Sequence, residues 1–112
     1  MTTTYMTKGD LLPSIQATLK YLDGTLVDLT DATTVEFHMR KENGDVVISA
    51  GTGSVLSPAA GGIVQYDWQE GDTDVEGVCY AEFVVTFSAG TAGELTFPAK
   101  GDWEIRFRER LA

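Results

Sequence analysis

The chain is 112 residues long with a mass of 12.1 kDa, and 8 Lys and Arg against 17 Asp and Glu give a formal net charge of −9 and a pI near 4.3. A chain of this length buries roughly two-thirds of its unfolded surface, enough for one hydrophobic core, and a composition 43% hydrophobic and 22% charged excludes a disordered tail. The acidity, with no cluster of Lys and Arg to offset it, excludes a phosphate backbone or an anionic leaflet as partner, so neither nucleic acid nor membrane is expected.

The start, Met1-Thr2-Thr3-Thr4-Tyr5-Met6-Thr7, has neither a basic nor an apolar leader region, and nowhere do about 18 apolar residues run together. The expected place of synthesis is therefore the cytoplasm. Residues 1–10 read as a flexible polar arm without a core role, expected to order on assembly, and 11–112 as the folded domain.

Apolar residues then recur at every second position, which is the strand period. Ile15, Ala17, Leu19 and Tyr21 share one face, and Asp23-Gly24 closes a turn. After Val27-Asp28-Leu29-Thr30, a second strand sets Val35, Phe37 and Met39 against Glu36, His38 and Arg40. Asn43-Gly44 predicts a type I′ hairpin turn, with positive φ at both central residues, returning through Val46 to Ser49. The stretch 50–62, with Gly51, Gly53, Pro58, Gly61 and Gly62, reads as a loop holding one short strand around Val55-Leu56.

Ile63 to Trp68 resumes alternation, and an acidic connection from Glu70 to Glu76 leads into the longest strand. There Cys79, Ala81, Phe83, Val85 and Phe87 oppose Tyr80, Glu82, Val84 and Thr86. Ser88 to Gly93 is a small-residue turn, Leu95 and Phe97 mark a short strand ended by Pro98, and Trp103, Ile105 and Phe107 alternate with Glu104, Arg106 and Arg108 in the last. About seven short strands with regular turn signals predict an all-β, two-sheet antiparallel sandwich. Met39, Phe83, Val85, Trp103, Ile105 and Phe107 are its expected core.

Residues capable of catalysis are few. Cys79 is the single thiol and His38 the single imidazole, and alternation places them on opposite faces of different strands, which excludes a dyad. Gly51-Thr52-Gly53 lacks the third glycine and the helix of a phosphate loop. A lone cysteine supplies neither a disulfide nor a zinc site, and no cofactor is expected. Asp67, Glu70, Asp72, Asp74 and Glu76 form a weak candidate calcium loop, because hard cations want several converging oxygens, but the spacing favours a solvated acidic loop. Arg106, Arg108 and Arg110 lie on one face of the last strand and fit either cross-strand pairing with Glu82 or Glu94 or an interface with an acidic neighbour. Tyr66, Trp68 and Tyr80 offer an aromatic platform for sugar rings, with core packing the competing role for Trp68.

The ordered set Gly9-Asp10-Leu11-Leu12-Pro13, Asp23-Gly24, Asp28-Leu29-Thr30, Gly62-Ile63-Val64-Gln65-Tyr66-Asp67-Trp68, Asp72-Thr73, Tyr80-Ala81-Glu82-Phe83-Val84-Val85-Thr86-Phe87 and Phe97-Pro98 resembles the immunoglobulin-like N-terminal domain of phage baseplate upper proteins. The resemblance spans almost the whole chain, from Lys8 to Arg108. Gly77-Val78-Cys79-Tyr80 carries one residue more than the Gly-x-Tyr of that family, which predicts a bulge.

The resemblance implies an immunoglobulin-like sandwich that attaches one virion component to another in a tail, baseplate or neck, without catalysis. The expected partners are ring-forming phage structural proteins, met by several copies of a free-standing adaptor in the virion. Tyr5, Lys8, Arg106, Arg108 and Arg110 are the interface candidates. A carbohydrate-binding module for the host surface is the alternative, disfavoured if Trp68 and Trp103 are both buried.

Overall fold

Strict alternation of half-buried and buried residues from Val78 to Thr86 makes the segment Gly77–Phe87 the spine of the structure. The computed structural model describes residues 2–87, 93–98 and 101–111. Among these residues the chain forms β1 (Thr2–Thr7), β2 (Ile15–Thr18), β3 (Ala32–Lys41), β4 (Val46–Thr52), β5 (Ser54–Val55), β6 (Ile63–Tyr66), β7 (Gly77–Phe87), β8 (Gly93–Phe97) and β9 (Trp103–Arg108), with one 3-10 turn at Ala59–Gly61. A six-stranded sheet runs β1-β9-β7-β3-β4, with β8 also paired to β7, and a three-stranded sheet runs β2-β6-β5. The chain is thus an all-β, two-sheet sandwich.

Every pairing is antiparallel except one, since β1 runs parallel to β9 from Thr2 opposite Trp103 to Thr7 opposite Arg108. The sequence reading of residues 1–10 as an arm without a core role is overturned here. Met6 is buried among the core residues, and Thr4 Oγ1 accepts a hydrogen bond from Trp103 Nε1 at 3.1 Å. Threonine is polar, but its β-branch suits a pleated strand, and a single methionine among threonines is too faint an alternation to read.

The two sheets bury one aromatic cluster. Phe37 stacks on Tyr66 at 4.8 Å between ring centroids, meets Trp68 edge-on at 5.7 Å and lies 5.0 Å from Phe83. All six expected core residues are buried, joined by Leu19, Val27, Leu29 and Val64. Val27 and Leu29 lie outside any strand, held by Val27 N–H donating to the Leu19 carbonyl and Leu29 N–H to that of Ala59. Tyr21 leaves the apolar row of β2 and is exposed, because the chain turns back there through the Lys20–Leu26 bridge.

Three turn details differ from expectation. Of the Asn43-Gly44 pair only Gly44 has positive φ, at 98°, and Lys41 N–H donates to the Asp45 carbonyl, so the turn is a three-residue loop closed by a left-handed glycine. The bulge expected at Gly77-Val78-Cys79-Tyr80 is absent, as these residues pair in regular register with Phe107 to Glu104. Register shifts fall instead on both sides of β3, between Ala32 and Thr34 against β7 and between Phe37 and Arg40 against β4, the strand that holds Ala50. There β4 continues to Thr52, beyond the expected Ser49, and a Cβ on Gly51 would come within 2.7 Å of the Tyr66 ring. Most of the turn expected at Ser88 to Gly93 lies outside the described residues.

Candidate functional site

The outer face of the six-stranded sheet collects the charged side chains that alternation turns away from the core. Register sets Tyr5 beside Arg106 and Thr7 beside Arg108 across β1 and β9, Tyr80 beside Glu104 across β7 and β9, and Arg40 and His38 of β3 beside Tyr80 and Glu82 of β7. An open cleft of about 450 Å³ lies on this face, lined by His38, Arg40, Ser49, Tyr80, Glu82 and Asp102 among others. Partial burial, and then the carboxylates of Glu104, Glu42 and Asp102, push the Tyr80 phenol above its ordinary value.

Sequence reasoning misses this cleft. Alternation shows that His38, Arg40, Tyr80 and Glu82 point outward, but nothing in it shows that β3 and β7 are neighbours in the register that joins them. Next to Ser49 of the cleft lining, Ala50 has a left-handed backbone, φ 55°, and aims its N–H at His38 Nδ1, 3.2 Å away. His38 Nε2 lies 3.3 Å from Glu36 Oε1, so the network assigns Nδ1 as acceptor and Nε2 as donor.

The predicted interface residues divide. Tyr5 is 74% exposed at the sheet edge, and Arg108 is exposed. Arg106 pairs with nearly buried Glu104 of its own strand, at 3.2 Å, rather than with Glu82 or Glu94. Arg110 lies beyond the end of β9 and does not extend the row. Its guanidinium reaches Asp10 at 2.6 Å and the Lys8 carbonyl at 3.3 Å, tying the two terminal segments together. Lys8 lies 3.2 Å from Glu76 and 3.8 Å from Asp74, and the hydrogen bond and charge of Glu76 raise its ammonium pKa. These exposed pairs stabilise little and act mainly on orientation.

The candidate calcium loop is a correction. Among the described residues no group of His, Cys, Asp or Glu side chains is placed to hold a metal ion. Asp72 turns inward, where its Oδ2 accepts hydrogen bonds from Tyr66 Oη at 2.5 Å and from the Gln69 amide at 2.7 Å. Asp67 accepts from Ser14 and Gln65, while Asp74 and Glu76 face Lys8. Glu70 is exposed on the turn. The carboxylates therefore diverge, because Asp72, Asp67 and the Asp74–Glu76 pair are drawn to three different neighbourhoods.

The sugar platform is a second correction. Tyr66 and Trp68 are each 4% exposed and belong to the core cluster, as does Trp103, so that of the three platform residues Tyr80 is the one on the outer face. Trp68 Nε1 donates to the Pro13 carbonyl at 3.2 Å, which satisfies its polar atom inside the fold. Cys79 is buried on the inner face, where desolvation raises its thiol pKa against a smaller opposing effect of Lys41, and the sheet itself separates it from His38. The groups that this face offers to a ligand are charged side chains, tyrosine hydroxyls and strand backbone. Among the described residues no helix is long and apolar enough to cross a membrane. Compared with protein-family models, with curated proteins and with solved structures, the chain matches none.

Proposed function

We propose that this chain is a non-enzymatic structural or adaptor protein of a bacteriophage virion, attaching one component of a tail, baseplate or neck to another by protein-protein contact. The observation that carries the binding role is the segregation of side chains between the two faces of the larger sheet. The aromatic rings that would stack on a sugar are packed inside, whereas Arg40, Tyr80 and Glu82 stand outside along an open cleft and Tyr5, Arg106 and Arg108 stand outside at the β1–β9 end of the sheet. Tyrosine and arginine are the residues enriched at protein interfaces. The virion setting is supported by the ordered motifs from Lys8 to Arg108 that resemble the phage baseplate domain. Several copies docking on a ring-forming protein turn modest single-site affinity into avidity.

Light scattering of the purified chain, alone and mixed with the purified tail, neck and baseplate proteins of its source, tests the proposal. A complex of fixed stoichiometry with a ring-shaped partner is expected, and Arg108→Glu should weaken it. A chain that joins none of them, and instead binds glycans, would replace this proposal with the carbohydrate module.

A further inference from the structure

Sheet edges are where a sandwich meets another chain, and the edges here are not alike. β4 is broken by register shifts and by left-handed Ala50, β8 carries Glu94 and is followed by Pro98, and β2 and β5 are only 4 and 2 residues long. Short length, charge, proline and bulges are the devices by which natural sheets prevent edge-to-edge pairing. β1 has none of them. Its sequence Thr-Thr-Thr-Tyr-Met-Thr holds no charge, glycine or proline, it pairs with β9 in unbroken register, and among the described residues no strand lies along its far side.

The backbone groups that this edge offers can be named. Lys8 N–H donates to the Arg108 carbonyl, so alternate residues Thr4 and Met6 direct their amides toward β9, and Thr3 and Tyr5 direct N–H and C=O outward. The Thr7 carbonyl accepts the Asp10 amide, which closes that end of the strand.

We infer that β1 is a self-association edge, at which two copies of this chain pair antiparallel about a two-fold axis through Thr4 and join their six-stranded sheets into one. In this register each Thr3 exchanges both backbone hydrogen bonds with Tyr5 of the other copy, so the groups used are the outward ones. Threonine then lies beside an aromatic ring on the outer face, a favourable cross-strand pair. Odd-numbered residues of both strands share that face, and Thr4 and Met6 stay on the core side.

Charge favours a second copy as the occupant. The chain carries a net −9, yet around β1 Arg106, Arg110 and Lys8 are paired with Glu104, Asp10 and Glu76, and Arg108, beside Thr7, adds an exposed positive charge. Two acidic molecules therefore approach most easily here. The pairing also sets the Arg106–Tyr5 row of one copy in line with the Thr3–Glu104 row of the other, with unlike charges at the two ends.

Sedimentation of the full chain alone, over a concentration series up to its solubility limit, tests the inference. A reversible species of twice the 12.1 kDa chain mass is expected. Thr3→Lys places two ammonium groups at the pairing line, and Tyr5→Pro removes an outward N–H without touching the bonds to β9. Each should weaken dimerisation at least about tenfold while leaving the β-sheet circular dichroism unchanged. If Tyr5→Pro unfolds, Thr3→Lys alone decides. A wild-type chain that stays monomeric, or a dimer that survives Thr3→Lys, overturns the inference. Either result leaves the virion proposal to its own test with tail and neck proteins.

Discussion

Ala50 holds a backbone conformation that L-residues avoid, φ 55°, and does so where β4 bulges opposite His38. The left-handed region costs a residue with a Cβ roughly 1–2 kcal/mol, and glycine escapes it at a smaller entropic cost. Ala50→Gly should therefore raise stability by about 0.5–1 kcal/mol in urea denaturation, with the His38 contact intact. Tyr66 is perturbed more strongly. Burial first, then its hydrogen bond to Asp72 and the charge of that carboxylate, push the phenol pKa far above the ordinary value. Below about pH 10 both folded and unfolded chains keep this proton; above it the unfolded chain ionises first, so stability falls as pH rises. Tyr66→Phe should cost about 1–3 kcal/mol near neutral pH and should make the alkaline loss shallower, read by denaturation at a series of pH values. Cys79 should resist a thiol reagent in the folded chain and react once the chain is unfolded, since burial and a raised pKa both disfavour the thiolate.

Among the elements, β1 makes the sharpest test, because its attachment rests on the buried Met6 side chain, the Thr4–Trp103 hydrogen bond and one row of backbone bonds. Met6→Ala should lower stability by about 2–5 kcal/mol in thermal or urea unfolding, whereas an arm without a core role would be indifferent to it. The strands with large alternating residues were legible in the sequence. β3, β7 and β9 each set Phe, Val, Ile or Trp against charged neighbours, and the period is unmistakable there. β1 was not legible, since threonine fits strand and coil alike until a partner strand is present. The second half of β4 was hidden by Gly51 and by Gly53 just beyond its end, which read as loop but here make room for Tyr66 and Val35 respectively. The Asn43-Gly44 hairpin was legible in place but not in type, because the loop length that decides it depends on the register of the flanking strands.

At the scale of the whole molecule, alternation gave the two-sheet sandwich and its core, but not the order of strands within a sheet. That order decides the outer-face cleft, and it decides which neighbour each acidic side chain meets. Asp72 could not be assigned to Tyr66 rather than to a cation from spacing alone. Phe37 joins both sheets by touching Tyr66, Trp68, Phe83 and Trp103, so Phe37→Ala should cost about 3–5 kcal/mol and lose the transition as one cooperative step. The parallel pairing of β1 with β9 has a mechanical consequence. The chain enters this pair at the Thr2–Trp103 end and leaves it at the Thr7–Arg108 end, so tension applied to the two termini drags the strands lengthwise past each other. In that geometry the hydrogen bonds between them share the load and must give way together, rather than opening one by one like a zip. A molecule stretched between two larger bodies would thus resist force at the very pair of strands by which its beginning and its end are joined.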